Sequence, residues 1–152
     1  MGGKYAVRTD VAVEDSQSEI CKLLQLYGAD EVAHGFARDR AMVAFALGGV
    51  SVRMAVPMPL PEEFAATPTG KRRSLEQTKR AHQQALRQRW RAIALVLKAK
   101  LEAVEVGIST VEREFLSDVL LPGGKTVGQR VGPELHRALA DGGELPPLLP
   151  PA

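Results

Sequence analysis

Residues 31–57 read "EVAHGFARDRAMVAFALGGVSVRMAVP", and their apolar side chains recur with a period of two. Val32, His34 and Phe36 alternate with small or polar neighbours, and "RDR" at 38–40 turns the chain. Ala41, Val43, Phe45 and Leu47 alternate again, "GG" at 48–49 turns it back, and Val50, Val52, Met54 and Val56 make a third run. Strands joined by turns this tight pair antiparallel, so the stretch predicts a three-stranded meander. Pro57, Pro59 and Pro61 prevent further ladder pairing, and 57–70 reads as an extended connector.

Upstream, Tyr5, Val7, Val11 and Val13 share one side of an extended segment, with Arg8, Asp10 and Ala12 on the other. This pattern predicts a half-buried strand that joins the meander's edge after a helical crossover. Ser16 and Glu19 have capping-box spacing, Ile20, Leu23, Leu24 and Tyr27 follow at helical spacing, and Gly28 stands where a left-handed cap belongs. Downstream, Ser74 with Gln77 opens a helix running to about Val106, where Gly107 stops it. Ser109 with Glu112 caps another that carries Phe115, Leu116, Val119 and Leu120 as far as "PGG" at 122–124. Thr126 with Gln129, or Pro133 in a first-turn position, starts a last helix through Leu135 and Leu139. The sum is an α+β fold: an antiparallel meander sheet packed against a long central helix, with two shorter C-terminal helices. One domain spans 1–145, comprising a strand–helix–meander part (4–57), the connector (57–70) and a helical part (71–142). A proline-rich tail follows at 143–152.

The chain has 152 residues, enough to bury a core without staples, and 45% are hydrophobic. Cys21 is the sole cysteine, which rules out an internal disulfide and a cysteine-rich zinc site. No stretch approaches the ~18 apolar residues of a membrane span, so the expectation is a soluble protein of the cytoplasm.

The net charge of +2 hides a segregation. Residues 71–100 hold ten basic side chains against the single acid Glu76, a net +9, whereas the remainder of the chain carries −7. Such asymmetry is the usual footprint of a polyanion-binding surface. Within the long helix, Leu86, Trp90, Ile93, Leu97, Leu101 and Val104 form one apolar stripe, about 80° wide. Arg80, Arg87, Arg91 and Lys98 lie within about 40° of one another, roughly a quarter turn from it. Arg73 continues the row if the first turn extends that far, and Lys71, Arg72 and Arg73 read as a mobile basic arm. The row has three readings: a solvated face, a face neutralised by Glu102, Glu105, Glu112 and Glu114, or a phosphate-binding edge. The third gains from the lack of local acids and from arginine outnumbering lysine six to four, because the guanidinium fork suits phosphate. Trp90 belongs to the apolar stripe and reads as a core residue rather than a stacking platform.

Little points to catalysis. "PGGKT" at 122–126 resembles the end of a phosphate-binding loop, but Val119 stands where the first glycine is required, so the segment reads as a turn. His34, His82 and His136 are scattered without metal-ligand spacing, and nothing selects a pair among the acids near the expected strand ends. No cofactor or metal is expected.

The blocks "KYAV", "AVPMP" (55–59), "RQRWRAIALVLKAKLEAVEVGI" (87–108), "TVG" (126–128) and "PPLLP" (146–150) resemble a set of small uncharacterised proteins encoded by tailed bacteriophages and prophages. That resemblance implies a phage-related origin and a bacterial host cytoplasm, with no catalytic residue to carry over. The order helix, meander, long basic helix is also similar in architecture to the core of Rad52-like single-strand annealing proteins, in which a basic surface beside the sheet holds the strand's backbone. The expectation is therefore a non-catalytic nucleic-acid-binding protein acting in replication, recombination or host takeover, through Lys71, Arg72, Arg73, Arg80, Arg87, Arg91 and Lys98. The alternatives are a protein-binding module against an acidic host or phage partner, and a small metal-dependent nuclease. Homo-oligomerisation through the C-terminal helices is a further expectation.

Overall fold

The computed structural model describes residues 3–149, with side chains from residue 13 onward. The element order is α1 (Gly3–Leu26), β1 (Asp30–Ala37), β2 (Arg40–Leu47), β3 (Val50–Pro57), α2 (Leu75–Glu105), α3 (Val111–Glu114) and α4 (Val127–Ala140). One-turn 3-10 helices lie at Pro61–Phe64 and Leu116–Asp118. The α+β class and the three-stranded antiparallel sheet, in the order β1-β2-β3, are as the sequence predicts.

Gly48 and Gly49 both have positive φ (58° and 78°), which is why this two-residue turn needs two glycines. The register pairs Val43 with Met54 and Phe45 with Val52, so these side chains share one face. That face is the core. On it Ala41, Val43, Phe45, Val52 and Met54 meet Ile20 and Leu24 of α1 and Trp90, Ile93, Ala94, Leu97 and Leu101 of α2. Phe115 closes one end, its ring edge-on to Phe45 with centroids 5.2 Å apart.

The expected strand over 5–13 is helix: α1 runs unbroken from Gly3. Period two misled here, because Val13, Ile20 and Leu24, at i, i+7 and i+11, also continue one helical stripe, and residues 4–27 hold neither proline nor glycine to interrupt it. The facing of Tyr5, Val7 and Val11 lies outside the described side chains. Ser16 sits inside the helix and is therefore no N-cap. The stop at Gly28 is as expected, with φ +88° and the Ala29 N–H donating to Leu24 O at 2.9 Å.

α2 starts at the expected capping box: Ser74 Oγ accepts from Gln77 N at 3.2 Å, and Gln77 Oε1 accepts from Ser74 N at 3.0 Å. The helix after it is corrected. Ile108 N and Ser109 N both donate to Ala103 O, finishing α2, so the cap moves one residue on to Thr110. α3 then lasts a single turn, because Val119 and Leu120 leave as extended chain to bridge Val52 and Thr126. The Thr126–Gln129 capping box opens α4, and Pro133 lies inside that helix rather than in its first turn. The tail has neither helix nor strand over 143–149, and its last three residues lie outside the described residues.

The connector is also more tightly packed than an extended linker. Met58 and Pro59 are buried, and His82 Nε2 donates to Pro59 O at 2.9 Å, a carbonyl that can only accept. α4 itself docks through its first turn. A Cβ built on Gly128 falls 2.9 Å from Ser117 O, so only glycine permits the approach. Gly128→Ala therefore lowers stability by about 1–3 kcal/mol, read by denaturant titration, unless α4 shifts away from the 116–118 turn.

Candidate polyanion-binding surface

The cationic segment divides into spent and unspent charges. Arg73 is spent: its half-buried guanidinium donates from Nη1 to Phe64 O at 3.2 Å and Ala66 O at 3.1 Å. This corrects the mobile arm. Thr67 N donates to Lys71 O at 2.8 Å, Lys71 N donates to Thr67 Oγ1 at 3.0 Å, and Arg72 bridges Ala66. The segment is thus a pinned loop around Gly70, from which the side chains of Lys71 and Arg72 stand exposed. Lys100 is spent as well, donating to the Glu114 carbonyl while its ammonium lies 5.3 Å from the centre of the Phe115 ring. Burial pushes the nearby Asp118 carboxyl up from its ordinary range, with the Lys100 charge acting in the opposite direction.

The row on α2 behaves differently. Arg91 and Lys98 are exposed, Arg87 is half-buried, and none of the three makes a hydrogen bond or ion pair with a described residue. Arg80 is exposed but has a partner within the chain. None of the glutamates that might have neutralised the row, Glu102, Glu105, Glu112 and Glu114, forms an ion pair with a described residue. Glu102 Oε2 accepts from Tyr27 Oη at 2.7 Å, and that bond holds the phenol above its usual range. Among the described residues the one ion pair joins Arg38 to Glu62, away from the row. The Tyr27 bond places Glu102, one turn beyond Lys98 on the same shoulder of α2, against the end of α1.

Trp90, at 2% exposure, is a core residue. Sequence reasoning missed a second feature. His34 and Phe36 lie on the core-facing side of β1, opposite Val43 and Ala41, yet Phe36 is 68% exposed. β1 is an edge strand, and its second half lies between residues of α1 and α2 that leave a gap. A groove of about 580 Å³ opens there, with Phe36, Leu86 and Trp90 along its apolar wall and His34, Lys79 and Glu14 among its polar lining. No periodicity reveals it, because exposure at an edge depends on where the covering helices lie. Among the described residues, no group of three or more His, Cys, Asp or Glu is placed to hold a metal ion, and no helix is long and apolar enough to cross a membrane. Compared with protein-family models, curated proteins and solved structures, the chain shows no match.

Proposed function

We propose that this protein binds nucleic acid without catalysis, tracking the phosphate backbone along α2, and that it serves a tailed phage or prophage in replication, recombination or takeover of the host cytoplasm. The observation that carries the reading is the net +9 of residues 71–100, with Arg91 and Lys98 outward and unneutralised by any described residue. Lys71 and Arg72 extend the positive surface beyond the N-terminus of α2, and Lys79 and Arg89 add exposed cations to the helix. Arg73 leaves the binding set, because its charge serves the fold. The groove beside Phe36 favours single strands, since an unstacked base has an exposed ring to lie on and Lys79 beside it for a phosphate.

The test is an anisotropy titration on labelled single-stranded and duplex DNA at two salt concentrations. With about four phosphate contacts, log K falls with log salt at a slope near −3 on single strands, so affinity drops about 60-fold between roughly 50 and 200 mM salt. Phe36→Ala weakens single-strand binding by at least about fivefold and leaves duplex binding unchanged. A protein that retains neither form at physiological salt is no nucleic-acid binder. One observation favours the second reading, a protein-binding module: the apolar stripe of α4 is unburied.

A further inference from the structure

The polar lining of the groove beside Phe36 divides into groups that are occupied and groups that are not. His82 Nε2 is taken by Pro59 O, its ring centroid lies 5.9 Å from that of Phe64, and Gln83 has a partner within the chain. Glu14, Gln17, His34 and Lys79 also line the groove, and none of them makes a hydrogen bond or ion pair with a described residue. Glu14 is the single acid among these lining residues. It comes from α1 and Lys79 from α2, and both are exposed. Opposite charges therefore share one cleft without pairing, which suits an occupant with a group for each. Glu14 and Gln17 stand at i and i+3 on α1, so their polar ends lie side by side on one face of that helix. Val13, Phe36 and Leu86 supply the apolar wall.

We infer, resting on the single-strand reading, that this groove selects guanine among the unpaired bases of a strand. A carboxylate only accepts hydrogen bonds, through two oxygens set side by side. Guanine is the one common base whose Watson–Crick edge carries two adjacent donors, N1–H and N2–H, beside an acceptor, O6. Glu14 takes the two donors, and the neighbouring Gln17 amide donates to O6. Adenine and cytosine offer one donor next to an acceptor, and thymine offers one donor between two acceptors. Each of them sets a lone pair against a Glu14 oxygen, which costs a hydrogen bond and adds a repulsion. The purine ring lies on Phe36, and the phosphate of the same nucleotide meets Lys79 across the cleft. At about 580 Å³ the groove lies within the roughly 300–1,000 Å³ of clefts that enclose small ligands. A duplex hides the Watson–Crick edge in its own pairing, so the selection is confined to single strands.

The experiment titrates the full chain into a labelled oligothymidylate of about 12 nucleotides and into the same strand with one central guanine. The guanine strand binds at least about fivefold tighter, the discrimination of one well-placed bidentate pair. Hypoxanthine in place of guanine lacks the N2 donor and loses most of that preference. Glu14→Gln sets an amide donor against one of the two base donors, and the variant binds both strands alike. Glu14 is exposed, so the variant keeps its thermal midpoint and the loss is one of recognition. Two strands held equally by the unaltered chain, with steep salt dependence, overturn the guanine site and leave the phosphate-tracking reading standing. A preference that survives Glu14→Gln overturns it too, since the carboxylate is then not the reader. Retention of neither strand removes both readings together.

Discussion

Replacing Arg91 and Lys98 together by glutamate lowers affinity for a single-stranded oligonucleotide on the order of 100-fold and leaves the thermal midpoint within about 2 °C. One phosphate contact with a slope near 0.7 is worth about fivefold at 0.1 M salt, so losing two costs about 25-fold. Two new repulsions against the backbone supply the remainder. Both side chains are exposed and bond to no described residue, so their replacement falls in the ±0.5 kcal/mol typical of surface changes. Arg87 requires a gentler substitution. Its stem is half-buried, and Arg87→Gln removes the charge while keeping the packing. The measurement pairs anisotropy with calorimetry. A fallen midpoint with intact affinity would turn the row into a structural element.

Trp90→Ala has the largest effect on stability, a loss of about 3–5 kcal/mol. The indole is 2% exposed in the centre of the apolar stripe, within the core shared by α1, α2 and the sheet. Removing it opens a cavity that the surrounding elements cannot fill by small shifts. For a domain of this size the midpoint falls roughly 6–20 °C, measured by calorimetry without ligand. A Trp90 that served as a stacking platform would give the reverse: weaker binding and an unchanged midpoint.

The meander, the long helix and both of its ends were legible because each rests on local chemistry: strict alternation, two glycines in a turn, a serine and a glutamine three residues apart. The errors arose where one pattern served two structures. Val11 and Val13 satisfy an extended segment, but Val13 with Ile20 and Leu24 satisfies a helix equally well, and only packing against α2 separates the two. Ser109 and Thr110 can each cap a helix, and the choice belongs to the preceding helix, whose last carbonyls occupy Ser109. The site was legible as charge and illegible as geometry. Composition located the +9 segment, whereas nothing local distinguishes Arg73, locked onto two carbonyls of the connector, from Arg91, which bonds to no described neighbour. The exposure of Phe36 was hidden for the same reason, since alternation assigns a side to a strand residue but not what lies above it.

The division of α2 into a buried stripe and an outward shoulder has an evolutionary consequence. On the proposed function, substitutions at Arg91 and Lys98 retune attraction to a polyanion without touching the core, whereas those at Trp90, Ile93 and Leu97 retune packing behind that surface. Selection can therefore drift the one property while holding the other constant.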